Sequence, residues 1–104
     1  MKIDIIFTKK ENTSCAVIFL KDNSNKNIDA TVAAAFIGHD RELLFIPTSE
    51  TTHFNPAYPS DGDNYVYRIE KGIYHASAPV PFEIKKIQVW AKTKNTKASK
   101  EITL

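Results

Sequence analysis

The chain has 104 residues, of which 42% are hydrophobic and 25% charged, with a formal net charge of +2. That length suits one domain around one core, and that composition belongs to an ordinary globular protein, so wholesale disorder is excluded. The single cysteine, Cys15, cannot form an intramolecular disulfide, and no run approaches the roughly 18 apolar residues that cross a bilayer as a helix.

The dominant pattern is short β-type runs separated by polar turns. Ile3, Ile5 and Phe7 alternate with Lys2, Asp4 and Ile6, which predicts a strand with one buried face. Thr8 to Thr13 is polar and reads as a turn. Asn12-Thr13-Ser14 has the form of a glycosylation sequon, a signal without meaning unless the chain is secreted. Ser14 to Leu20 is a continuous apolar run and predicts a central strand buried on both faces, with Cys15 as an inert packing group. Lys21 to Asp29, rich in Asn and Asp, is a loop.

Thr31 to Ile37 holds three successive alanines, which suit a helix. The alternation of Val32, Ala34 and Phe36 and the stop at Gly38 favour a strand instead. Leu43 to Ile46 reads as a further buried strand ended by Pro47. Thr48 to Asn64 is a long irregular stretch in which Thr51 to Phe54 is a possible short strand. Tyr65 to Glu70 and Ile73 to Ser77 form a hairpin closed at Lys71-Gly72, with Tyr65, Tyr67 and Ile69 on one face as core or core margin. Pro79 and Pro81 make an extended link. Glu83 to Thr93 is a long strand, Lys94 to Lys100 a turn, and Glu101 to Leu104 a closing strand.

Seven to nine strands at intervals of about ten residues predict an all-β protein, an antiparallel β-sandwich in a single domain spanning residues 1–104. An immunoglobulin-like or fibronectin-like topology is the leading expectation, by pattern alone.

Motif-based chemistry is sparse. Gly38, Gly62 and Gly72 lie too far apart for a P-loop or a dinucleotide fingerprint. His39, His53 and His75 are isolated, so no zinc-like spacing arises. Asp61-Gly62-Asp63-Asn64 offers oxygen ligands for calcium but reads more simply as a solvated turn. No nucleophile elbow is present. The expectation is therefore no cofactor, no metal and no catalytic residue.

One feature rises above this background. Read with period two, Ile87, Val89, Ala91 and Thr93 form an inner face, and Lys86, Gln88, Trp90, Lys92 and Lys94 an outer one. The only tryptophan then points outward among lysines. Exposed Trp is enriched at interfaces and stacks on sugars and bases. The competing readings are coverage of the ring by lysine stems, or a register slip that turns it inward. Residues 84–104 carry six lysines against Glu101, whereas residues 1–83 carry eight basic and eleven acidic groups. The basic segment contains no arginine, which argues against nucleic acid and for an edge that deters aggregation.

The expected binding residues are thus Trp90, Lys86, Gln88 and Lys92, with Tyr58 in the long loop. The expected function is a non-catalytic binding or assembly module that docks onto another protein, onto a second copy, or into an assembly such as a virion or appendage. A carbohydrate-binding module using Trp90 or Tyr58 is one alternative, and a small enzyme whose site is assembled from distant strands is another. Without a signal peptide or a disulfide framework, the cytoplasm is the default location.

Overall fold

The computed structural model describes residues 1–47 and 64–104. Among these lie eight strands: β1 (Lys2–Lys10), β2 (Thr13–Lys21), β3 (Thr31–Ile37), β4 (Glu42–Pro47), β5 (Asn64–Glu70), β6 (Ile73–Pro79), β7 (Lys86–Lys92) and β8 (Lys97–Thr103). The described residues include no helix, so the all-β expectation holds. The strands form one sheet in the order β1-β2-β6-β5-β4-β3-β7-β8. The two terminal strands approach each other, and Lys100 Nζ lies 3.6 Å from Asp4 Oδ1 across the seam. The sheet thus nearly closes into a barrel, with the core on its concave side.

The sheet is mixed rather than wholly antiparallel. β4 and β5 run parallel, with Phe45 opposite Asn64 and Pro47 opposite Val66, whereas every other pairing is antiparallel. A parallel pair needs a connection of a dozen or more residues, and the chain between β4 and β5 is long enough in sequence for one. The possible strand at Thr51 to Phe54 and the Asp61-Asp63 turn fall outside the described residues.

Alternation selects the core. Ile3, Ile18, Leu20, Val32, Ala34, Phe36, Phe45, Val66, Ile87 and Val89 turn inward and are buried, with Phe36 and Phe45 ring centroids 4.7 Å apart. β3 is a strand along its whole length because β4 and β7 take its backbone groups on either side. A helix there would leave β4 and β7 each unpaired along one edge.

Several boundaries differ from the expectation. β1 continues to Lys10, and the turn shrinks to Glu11-Asn12, where Glu11 has φ 55. Lys97 to Lys100 belong to β8 and not to a turn, because Thr93 closes a tight turn with Thr96 (N to O 2.8 Å) and lets the chain pair back at once. β2 is buried on one face only: Ser14, Ala16, Ile18 and Leu20 are enclosed, whereas Cys15, Val17 and Phe19 are half-buried on the convex side. Tyr67 and Ile69 are exposed on the convex face, since Val66 takes the inward position of β5. Leu44 and Ile46 are exposed likewise, and only Phe45 of that run is fully buried. Apolar runs misled in these cases because Leu44, Ile46, Tyr67 and Ile69 stay exposed on the convex side of the sheet.

Candidate functional site

The register sets the convex face of β4-β3-β7-β8 residue by residue. Ala33 pairs with Trp90 and Trp90 with Ser99. Leu44, Ala35, Gln88 and Glu101 make the next row, and Thr31, Lys92 and Lys97 the row on the other side. The Ala34–Phe45 pair faces inward, so Ala33 and Ile46 face outward together. Trp90 is 44% exposed, Leu44 53% and Ile46 41%. The outward register expected for Trp90 is therefore the one observed.

The small side chain of Ala33 lies beside Trp90 and is half-buried, whereas Ala35 is fully buried. A cleft of about 300 Å³ opens beside Ala33 and Trp90, lined also by Thr31, Pro47, Ala91, Lys92, Lys97 and Ala98. Its walls are almost entirely apolar.

The charges on this face are unevenly partnered. Lys86 Nζ lies 3.5 Å from Glu101 Oε1, at the end remote from the cleft. Lys92 and Lys97 are direct cross-strand partners, and among the described residues neither meets a carboxylate. Gln88 is half-buried, and its side-chain nitrogen donates to the Val89 carbonyl at 3.5 Å. The structure thus brings Trp90, Lys86, Gln88 and Lys92 onto one face; Tyr58 lies outside the described residues. The sequence pattern missed Leu44, Ile46 and Lys97. The alternation of Leu44 and Ile46 with Phe45 carried the signal for the first two.

The convex face of β1-β2-β6-β5 carries a second apolar row, Ile6, Val17, His75 and Tyr67, in direct register. Tyr67 stacks near His75 with ring centroids 5.7 Å apart.

The most heavily engaged carboxylate is Asp29, in the segment before β3. Its Oδ1 accepts from Arg68 Nε at 3.0 Å, from the Gly72 N–H at 3.0 Å and from the Tyr74 hydroxyl at 3.1 Å, and its Oδ2 accepts from Arg68 Nη2 at 3.1 Å. The Arg68 guanidinium, opposed by partial burial and aided by the Gly72 and Tyr74 bonds, holds this carboxyl below its ordinary range. The Tyr74 hydroxyl also accepts from the Ala30 N–H at 3.0 Å. A carboxylate so fully bonded ties the β5–β6 hairpin to the β2–β3 connection. Burial pushes the half-buried Cys15 thiol up from its ordinary range. Among the described residues no group of three His, Cys, Asp or Glu converges as a metal site, and no helix is long and apolar enough to cross a membrane.

No protein-family model, no curated protein and no solved structure matches the chain.

Proposed function

We propose that the chain is a non-catalytic docking module, which binds another protein through the convex face of β4-β3-β7-β8. The observation that carries this reading is the 44% exposure of Trp90 in register beside Ala33, with Leu44 and Ile46 exposed on the same face. Isolated apolar side chains on a surface are ordinary, but a Trp beside an apolar cleft, with two exposed aliphatic residues on the same face, is the anatomy of an interface. Large aromatic side chains at the centre of such a patch carry most of the binding energy where partners meet.

The strand order supports a sandwich framework for this module. The sequences β1-β2-β6-β5 and β4-β3-β7-β8 have the crossed pairing of an immunoglobulin-like sandwich, in which the second and third strands pair with the sixth and seventh. Such frameworks present one sheet face or one set of loops to a partner. The engagement of Asp29 in four structural hydrogen bonds also supports a structural role for that carboxylate over a catalytic one, since its partners are Arg68, the Gly72 backbone and Tyr74 of the fold itself.

A sugar-binding reading requires convergent donors and acceptors around the aromatic ring. The cleft beside Trp90 is walled by alanine, proline and lysine stems with Thr31 as its one hydroxyl, which favours an apolar protein side chain.

The test is site-specific photo-crosslinking in the organism of origin. A benzophenone side chain introduced at Leu44 or Ser99 is expected to yield a discrete protein adduct, and one at Lys26, in the β2–β3 loop, none. Equal adduct formation at all three positions, or none at Leu44 and Ser99, would remove the docking face.

A further inference from the structure

We propose that the segment received by this face is acidic: a stretch of partner chain that lays one apolar side chain in the cleft beside Trp90 and sets carboxylates against Lys92 and Lys97. This rests on the docking reading above and names the chemistry of its partner.

The argument begins with how the C-terminal lysines are partnered. Lys85 Nζ lies 3.4 Å from Glu83 Oε2, Lys86 lies 3.5 Å from Glu101, and Lys100 lies 3.6 Å from Asp4. The remaining three, Lys92, Lys94 and Lys97, gather at the turn joining β7 to β8, and among the described residues none meets a carboxylate. Lys92 and Lys97 sit directly opposite each other across the two strands. Like charges at such positions destabilise a sheet. An incoming carboxylate would relieve that repulsion, so the arrangement favours an anion at this end of the face and at no other.

The cleft specifies the second half of the ligand. Both lysines line it together with Trp90, Ala33 and Pro47. About 300 Å³ lies at the small end of the range for ligand sites, so it fits one large side chain and not a whole cofactor. Its apolar wall offers Leu, Phe or Met a desolvated seat, and the lysines at its rim stay in water, where they steer an acidic segment and fix its register.

Two other occupants fit less well. A second copy docking by the same face about a two-fold axis would bring a cluster of lysines towards its own image. A nucleic acid would satisfy the lysines, but it has nothing aliphatic to set against Leu44 and Ile46, and the face has no arginine to grip phosphate bidentately.

The experiment is selection of random dodecapeptides displayed on phage against the folded chain. Binding of the enriched peptides is then followed by the fluorescence anisotropy of a dye-labelled peptide and, in the parent chain, also through the emission of Trp90, the only tryptophan. Enriched peptides are expected to carry an apolar residue flanked by aspartate or glutamate and to shift the emission to the blue. Their affinity is expected to fall about tenfold or more in the K92E/K97E variant and to weaken with salt. The same variant keeps a like-charged pair at these exposed positions and is expected to leave the denaturation midpoint nearly unchanged, which separates lost binding from lost folding. Enriched apolar peptides without acidic residues, indifferent to K92E/K97E but abolished by Trp90→Ala, would overturn the acidic partner and leave the docking face standing. Enriched peptides indifferent to Trp90→Ala, or no enrichment, would overturn both. Tighter, lysine-dependent quenching by oligothymidylate than by any enriched peptide would replace the acidic segment with a nucleic acid.

Discussion

Asp29 and Gly72 show how single residues hold the fold's least regular corner. Gly72 adopts φ +75, and a Cβ placed there would meet Asn27 Cβ at 2.8 Å and the Leu20 carbonyl oxygen at 2.9 Å. Its own carbonyl accepts from the Leu20 N–H at 2.8 Å and its N–H donates to Asp29, so both backbone groups are committed. Gly72→Ala combines a left-handed backbone with a clash against main chain, and is expected to lower stability by about 2–3 kcal/mol in urea denaturation. Asp29→Ala leaves the Gly72 N–H without its acceptor and takes one partner from the buried Tyr74 hydroxyl. Its expected loss is about 1–3 kcal/mol, and Asp29→Asn should lose less because one acceptor oxygen remains. The carboxyl of Asp29 is held below its ordinary value of 3.8 in the folded chain. Its contribution is therefore complete above that value and disappears as pH falls through the lower, folded one. The stability gap between the parent and Asp29→Asn is expected to be widest at neutral pH and to narrow below about pH 4. A gap independent of pH would assign the loss to packing.

At the scale of the element, β7 carries opposite demands on alternate residues. Ile87 and Val89 are fully buried, whereas Trp90 is 44% exposed. Ile87→Ala removes core contacts and is expected to cost about 2–5 kcal/mol. Trp90→Lys, three positions along, is expected to change stability by about 0.5 kcal/mol or less. Trp90 emission in the free chain is expected to be red-shifted and quenched by iodide; a blue, protected spectrum would place the ring under cover. This half of the site was legible in advance because a strand's alternation is local: once Ile87, Val89 and Ala91 are assigned inward, Lys86, Gln88, Trp90 and Lys92 have no other direction. Leu44 and Ile46 were not legible in the same way. Leu43 to Ile46 is apolar at every position, so its pattern fits burial on both faces as well as on one. Lys97 reads as turn in the sequence because a polar, charged stretch looks alike in a turn and on an edge strand.

For the whole molecule, topology governs how the chain folds. β2 must find β6 and β3 must find β7 across more than half the chain, while five of the seven pairings join consecutive strands. Pairings so distant in sequence slow folding, and refolding followed by Trp90 fluorescence is expected to take milliseconds to seconds. A microsecond phase accounting for the full amplitude would contradict this topology. The seam between β1 and β8 is bridged by Asp4 and Lys100, both roughly half-exposed, so Lys100→Ala is expected to leave stability almost unchanged.

The amino-acid sequence by itself determined that the chain is all-β, where most strands lie, which way Trp90 points, and that positive charge concentrates towards the C-terminus. Each follows from local properties: alternation, turn chemistry and composition. The tertiary structure alone decided that β4 runs parallel to β5, that the sheet nearly closes, that Asp29 meets Arg68 and Tyr74 from distant positions, and that Lys92 and Lys97 join Trp90 around one cleft, with Leu44 and Ile46 exposed on the same face. Strand pairing depends on matching whole faces across long separations, and no residue states its neighbour on the next strand until the chain has closed upon itself.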